Sequence, residues 1–189
     1  MNAATTNLVV SLVAMQVARK IPFEDPQVLT IVRISYVVVQ AIVLGTYYFV
    51  SSKIKQKNDQ TVLKYAFAHF LPQREQSGEQ GNLVTTTVRD YDLGETSKLV
   101  RGAYIGILMM VFLHGYLKYT QPLFIQALMG LKNLYEAKPV AIHVLGKPAE
   151  GDLKRPFKTG GMFGGASDPQ TDKAAIDEAE KRKGSKKDE

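Results

Sequence analysis

Residues 26–52, PQVLTIVRISYVVVQAIVLGTYYFVSS, carry a single charged side chain, Arg33. At a rise of about 1.5 Å per residue, a helix of this length exceeds the roughly 30 Å hydrocarbon thickness of a bilayer. A core helix of a soluble domain is the alternative, but such helices rarely stay apolar on every face over this length. The stretch therefore predicts a membrane-spanning helix.

The overall composition conceals this prediction, because a mean hydropathy just below zero averages apolar segments with charged ones. The net charge of +6 suits a face opposed either to anionic lipid headgroups or to ribosomal RNA. The chain contains no Cys, which excludes a disulfide framework and thiolate metal sites. Large lumenal domains are therefore not expected.

Three further apolar segments accompany this helix. Residues 7–18 are short for a span, and they lack both the basic region and the small-residue cleavage site of a secretory signal, so they predict a retained helix. In the third segment, Gly102 and Gly106 would allow a neighbouring helix to approach closely. The predicted membrane domain comprises residues 1–137, with segments at about 7–20, 27–56, 97–119 and 121–136.

These segments predict an all-α membrane protein of two helical hairpins, each pairing a long with a short membrane helix, followed by a charged, partly disordered C-terminal tail. Three membrane segments is the competing count. Between the hairpins lies a predicted cytosolic loop, residues 57–96. Within it, residues 83–93 read as a short strand or an extended segment, after which Asp92 or Thr96 would cap the next helix.

Orientation follows from the Lys and Arg residues, which are concentrated in the middle loop and place that loop in the cytosol. With four crossings both termini are cytosolic, whereas with three the tail is lumenal. The tail divides into a Gly- and Pro-rich docking segment, residues 138–165, and a charged flexible segment, residues 166–189. Its basic side chains would meet a partner or ribosomal RNA phosphates, with a simply solvated tail as the alternative. The docking candidates are Lys147, Lys154, Arg155 and Lys158.

Polar side chains inside the apolar segments are costly in hydrocarbon unless they face protein or water. One interpretation is structural: the arginines snorkel to the helix ends and the glutamines join helices. The other is a hydrophilic groove, in which two short helices thin the bilayer and polar groups admit water from the cytosol. Such a groove would depend on Arg101 more than on Arg33. The groove candidates are Gln16, Arg33, Gln40, Lys98, Arg101, His114, Gln121 and Gln126.

No enzymatic constellation is predicted. The three histidines, His69, His114 and His143, are far apart in sequence and have no carboxylate at metal-ligand spacing. The GGMFGG run at 160–165 lacks the lysine of a phosphate-binding loop. We therefore expect a protein that is not an enzyme, with no catalytic residue, metal or cofactor.

Four irregular strings carry a family resemblance: FEDP at 23–26, TTTVRDYDL at 85–93, HGYLKYTQPLFIQ at 114–126 and IHVLGKPAEGDLKRPFK at 142–158. With the order of the segments, they resemble the fungal endoplasmic-reticulum membrane family first named for inorganic phosphate transport and later as the third component of the SRP-independent (SND) targeting pathway. The resemblance implies residence in that membrane and a part in targeting or inserting membrane proteins. It also implies a set of partners: the lipid bilayer, nascent membrane-protein clients, other targeting components, the Sec translocon and the ribosome.

Two other functions compete with an insertase. The older family name suggests a phosphate transporter or transport-maturation factor, although a carrier needs a midplane site and usually more helices arranged as repeats. The third possibility is a ribosome or translocon scaffold without insertase activity. Insertases with thinned-membrane grooves offer an architectural analogy only.

Overall fold

The computed structural model describes residues 3–66 and 83–158, together with Thr171 and residues 176–177. Within these residues the chain is mostly helical, with one short β-hairpin. The elements are α1 (Ala3–Ala18), α2 (Pro26–Lys57), β1 (Val62–Ala66), β2 (Leu83–Thr87), α3 (Val88–Met110) with a π-helical continuation (Val111–Tyr116), α4 (Gln121–Glu136), α5 (Lys138–His143) and a 3₁₀ turn (Gly151–Leu153).

The chain divides into two compact units. The first unit, residues 1–56 and 93–147, is called the four-helix unit after α1 to α4 and also contains the shorter α5. The second, residues 57–92 and 148–189, is called the hairpin unit.

Helix α2 has both a clear start and a clear inner face. Asp25 accepts a hydrogen bond from the backbone N–H of Gln27 at 2.8 Å, and Pro26 occupies the first helical position, where its missing N–H is not needed. The buried side chains of α2 recur at intervals of three and four residues, which is the spacing of a helix packed along one seam. They are Val32, Tyr36, Gln40, Val43, Tyr47, Val50 and Ile54.

Two helical stretches are long and apolar enough to cross a membrane, Pro26–Lys57 and Val88–Tyr116. Only 22% of the most apolar window of the first is buried, and 6% of that of the second. The core helix of a soluble domain would be mostly buried, so these helices present apolar surface outward. Helix α1 adds a shorter apolar stretch, Thr5–Ala18.

Helix α4 is the central element of the four-helix unit. It packs against α1, where the Ser11 hydroxyl lies 3.9 Å from the Met129 sulfur. Its Leu123 and Leu134 join two separate clusters of buried apolar side chains, each of which also contains residues of α2. The two short helices, α1 and α4, are therefore neighbours, and sequence order alone did not indicate this pairing.

We expect a Ser11→Cys/Met129→Cys variant to form an intramolecular disulfide on mild oxidation, because the two side chains already touch. The absence of native Cys makes the result easy to interpret on a non-reducing gel. Ser11→Cys/Leu128→Cys is the matched control, since Leu128 is 41% exposed. Equal crosslinking of both pairs would contradict the packing of α1 on α4.

The hairpin unit is built on the antiparallel pair β1–β2, in which Val62 lies opposite Thr87 and Ala66 opposite Leu83. Before β1, the Asp59 carboxylate accepts hydrogen bonds from the side chain and the backbone N–H of Thr61, at 2.6 and 3.1 Å. These bonds lower the pKa of Asp59. Their stabilising effect is present at neutral pH and is lost as the pH falls through that lowered pKa.

A clamp of four residues holds the segment after the 3₁₀ turn within the hairpin unit. Arg155 donates two hydrogen bonds to the carboxylate of Asp92, from Nε to Oδ1 at 2.6 Å and from Nη2 to Oδ2 at 2.7 Å. The Tyr91 hydroxyl accepts a hydrogen bond from the backbone N–H of Phe157 at 2.6 Å, and the two rings meet edge to face. The Arg155–Pro156 peptide bond is cis.

The structure corrects two predictions in this region. The chain is not all-α, because β1 and β2 form a two-stranded sheet; of the predicted strand or extended segment at 83–93, residues 83–87 are the strand and the rest belong to α3. Asp92 and Thr96 do not cap α3; both lie inside the helix and are almost completely buried. The helix begins earlier, at Val88, where the Thr87 hydroxyl accepts a hydrogen bond from the backbone N–H of Asp90.

Part of the predicted docking segment is ordered against the chain's own residues. Residues 138–143 form α5, whose Val140 packs in the core of the four-helix unit. Phe157, in the hairpin unit, is 5% exposed. The remainder of the docking segment, residues 159–165, and nearly all of the charged tail lie outside the described residues.

Candidate functional site: a polar track in the four-helix unit

The first part of the site joins α2 to the π-helical turn. Arg33 Nε donates a hydrogen bond to His114 Nε2 at 2.9 Å, and His114 Nδ1 lies 3.1 Å from the carbonyl oxygen of Tyr119. A guanidinium Nε–H is only a donor, so His114 Nε2 must accept and its proton resides on Nδ1. In this arrangement His114 accepts from Arg33 and donates to the carbonyl oxygen of Tyr119.

The second part lies where α2, α3 and α4 meet. The Tyr36 hydroxyl donates to Gln126 Oε1 at 3.4 Å. Gln126 Nε2 lies against Gly106, so near that a Cβ at Gly106 would stand only 2.6 Å from it. The absence of a side chain at Gly106 thus makes room for a partly buried amide between three helices.

The third part is Gln40, which is 9% exposed and lies on the buried seam of α2. Opposite this region of α2 is Gly130 of α4, whose Cβ position is 3.7 Å from Val39 and 4.0 Å from the Gln40 amide nitrogen. We call Arg33, Tyr36, Gln40, His114 and Gln126 the polar track. From Arg33 to Gln40 it follows α2 for about 10 Å.

A second polar group, the α1–α4 clip, joins the two short helices. Lys132 Nζ donates to Asn7 Oδ1 of α1 and pairs with Glu136 Oε2 at 2.5 Å. The Lys132 side chain is only 15% exposed. A buried ammonium group is stable only when it is paired and hydrogen-bonded, and the clip supplies both.

Gly106→Ala is expected to make the protein less stable than Gly130→Ala does. An alanine at position 130 meets its neighbours at ordinary contact distances, whereas one at position 106 must displace the Gln126 amide. Both changes raise helix propensity equally, so the difference measures the displacement of the Gln126 amide and the loss of its hydrogen bond with Tyr36, about 1 kcal/mol. Thermal unfolding of the two variants in detergent provides the comparison. Equal stability would show that the Gln126 amide does not contribute to the packing at Gly106.

The other groove candidates lie outside the track. Gln16 on α1 and Gln121 at the start of α4 are exposed. Lys98 pairs with Glu95 at 2.7 Å and remains 75% exposed. Arg101 is exposed on the outer face of α3. Of the eight predicted residues, the structure therefore brings Arg33 and His114 into contact. It places Gln40 of α2 and Gln126 of α4 where these two helices pack together.

The docking candidates lie in different surroundings, and only some of them present their charge to solvent. Lys147 Nζ lies 5.6 Å from the centre of the Tyr135 ring. Lys154 and Lys158 are exposed. Arg155 directs its guanidinium to Asp92, so it stabilises the hairpin unit rather than presenting its charge to solvent.

Sequence reasoning missed Tyr36, Asn7, Lys132 and Glu136. No sequence signal marks Tyr36, because the apolar residues of α2 lie on every face and its buried seam is defined only by the structure. Lys132 lies near the end of the predicted segment 121–136, where a basic residue is ordinary. Its role depends on Asn7, which is 125 positions away, and no local pattern links the two.

The described residues hold no group of three or more His, Asp or Glu side chains that could bind a metal ion. A family model described as Phosphate transport (Pho88) matches residues 1–187. The chain belongs to the Pho88 family. The sequence resemblance to this family is therefore confirmed.

Named relatives support the same assignment. SRP-independent targeting protein 3 of Saccharomyces cerevisiae is 44% identical over 96% of this chain and 95% of its own length. The SRP-independent targeting protein 3 homolog of Schizosaccharomyces pombe is 37% identical over 95% of this chain and 91% of its own length. An uncharacterized protein of the same yeast is 40% identical over 89% of this chain and 83% of its own length. No solved structure matches the chain.

Proposed function

We propose that this Pho88-family chain is a multi-pass endoplasmic-reticulum membrane protein of the SRP-independent targeting pathway, which helps to insert membrane-protein clients through a locally thinned, partly hydrated region. Both termini face the cytosol, and the protein is not an enzyme. The names of two relatives support the targeting role. The single observation that carries the insertion mechanism is the pairing of the two short helices.

Helices α1 and α4 contain 16 residues each, which gives a length of about 24 Å. The hydrocarbon core is about 30 Å thick, so neither helix matches it. Because α1 packs on α4, the two helices that are shorter than the hydrocarbon core lie side by side rather than on opposite sides of the protein. Lipid next to this pair has to thin, or water has to enter, for the helix ends to stay solvated.

The exposed tyrosines of the long helices also support a hydrocarbon layer thinner than usual. The hydroxyls of Tyr48 and Tyr104 meet at 2.8 Å on the exposed surface, and Tyr116 is 77% exposed toward the other end of the α3 rod. Tyrosines favour the membrane–water interface. Tyr116 follows Tyr104 by twelve helical positions, which is about 18 Å and less than an ordinary hydrocarbon core.

The α1–α4 clip supplies polar groups where a passing client segment would need them. Asn7, Lys132 and Glu136 lie at the N-terminal end of α1 and the C-terminal end of α4, which face the cytosol in the proposed topology. A polar client segment entering beside this pair would cross less hydrocarbon than elsewhere in the membrane. The Sec translocon and the ribosome are proposed as neighbours that deliver and receive such clients.

A phosphate transporter is the rival function, and the family description favours it. Liposomes containing the purified chain distinguish the two. Insertion of an added nascent membrane segment, without flux of labelled phosphate, is the result expected of an insertion factor. Phosphate flux without insertion would reverse the assignment, and neither activity would favour a ribosome or translocon scaffold.

Arg101→Glu tests the mouth of the hydrated region in the same assay. Arg101 projects from the outer face of α3, near the end that is cytosolic in the proposed topology. We expect charge reversal there to reduce insertion several-fold, because the electrostatic attraction of an acidic or phosphate-bearing surface becomes repulsion. Lys98→Glu has a smaller effect, since Glu95 already offsets Lys98. Unchanged insertion by Arg101→Glu would remove Arg101 from the mechanism.

A further inference from the structure

Arg33 is a cation in an apolar helix. Its Nε is used by His114, and no carboxylate in the described part of the chain forms an ion pair with its guanidinium. The residue is exposed. In a low-dielectric setting such a charge strongly favours an anionic partner.

The position of Arg33 is that of a lipid headgroup contact. It lies seven residues after Pro26, about 10 Å along α2, and His114 lies in the last turn of the π-helical segment. The start of α2 and the π-helical segment lie at the same end of the unit, because Phe23 and Leu113 pack against one cluster that contains Val32 and Met110. The pair therefore lies near the membrane surface that the short connections face.

The surface next to the pair is apolar. Val37 is one helical turn further along α2 from Arg33, and Val111 is one turn back along the chain from His114. Because the two helices run in opposite directions, both valines lie deeper than the pair, and each is 64% exposed. A charged group at the surface above an exposed apolar strip matches a phospholipid, whose acyl chain follows its phosphate.

We propose that Arg33 binds the phosphate of an anionic phospholipid, and that His114 is the residue that positions it. With Nε held by His114, the two Nη atoms of the exposed Arg33 have no hydrogen-bond partner among the described residues, and a guanidinium fork fits phosphate oxygens. The hydrogen bond from His114 to Tyr119 fixes the imidazole ring so that it can accept from Arg33. This site is independent of the targeting role.

Native mass spectrometry of the purified full chain, given equal amounts of phosphatidic acid and phosphatidylcholine, tests the proposal. Arg33→Gln is expected to lower the preference for phosphatidic acid about ten-fold, which corresponds to one charge-assisted interaction. Arg33→Lys keeps the charge but loses the fork, and an intermediate preference is expected. His114→Leu lowers the preference, whereas His114→Gln, which can still accept a hydrogen bond, retains most of it.

Arg19→Gln is the matched control, since Arg19 is an exposed cation on the connection at the same end of α2. An equal loss of the preference for phosphatidic acid in Arg19→Gln would show that the preference comes from general surface charge and not from a specific site. An unchanged preference in Arg33→Gln would overturn the proposal. Displacement of phosphatidic acid by about 10 mM inorganic phosphate would show that the group takes free phosphate, not lipid. If Arg33→Gln fails to fold, the intermediate preference expected of Arg33→Lys still tests the proposal.

Discussion

Arg155→Met is expected to destabilise the hairpin unit by about 3–5 kcal/mol, the largest effect of any single change considered. The Asp92 carboxylate is 1% exposed and receives two hydrogen bonds from Arg155. Removal of the guanidinium leaves a buried negative charge without that partner, and water cannot replace it. Thermal unfolding and limited proteolysis between residues 148 and 158 provide the measurement.

The control for this change is Lys154→Met, which removes an exposed cation next to it in sequence. That variant should unfold like the parent protein. The double variant Asp92→Met/Arg155→Met should recover most of the stability, because neither charge then remains buried. If Arg155→Met and Lys154→Met unfold alike, the ion pair does not hold the segment in place. Loss of partner binding in an Arg155 variant must accordingly be separated from misfolding of the hairpin unit.

Lys132→Met is expected to reduce insertion of a nascent membrane segment about ten-fold in the liposome assay. The change removes the hydrogen bond to Asn7 and the ion pair to Glu136, so α1 loses its polar link to α4. If the two short helices separate, their length deficits no longer coincide, and the bilayer is thinned less at any one place.

Asn133→Ala provides the control, because Asn133 is the next residue on α4 and is exposed. Combining each change with the Ser11→Cys/Met129→Cys pair shows whether the helices have separated. Lower insertion together with weaker crosslinking in Lys132→Met supports the mechanism. Normal insertion despite lost crosslinking would show that insertion does not depend on the pairing of the two short helices.

The hydrophobic pattern was sufficient to predict the long apolar helix. A run of apolar residues from 26 to 52 has one stable arrangement in hydrocarbon, a helix that satisfies its own backbone hydrogen bonds. Because that stretch is apolar on every face, the sequence did not indicate which side of α2 is buried, and only the structure shows the seam that contains Val32, Tyr36 and Gln40. The start of α3 was harder to locate, because the cap at Thr87 follows directly from strand β2 and the polar turn after it resembles a loop.

The sequence by itself determined where apolar helices form, since that depends on the local balance between side chains and solvent. Only the tertiary structure decided which helices are neighbours: α1 with α4, Gly106 with Gln126, and Arg33 with His114. In the membrane setting that we propose, helices have little hydrophobic preference for one another over lipid, so small residues and single polar contacts select the partner. Such contacts join residues about 20 to 125 positions apart, and no local pattern records them.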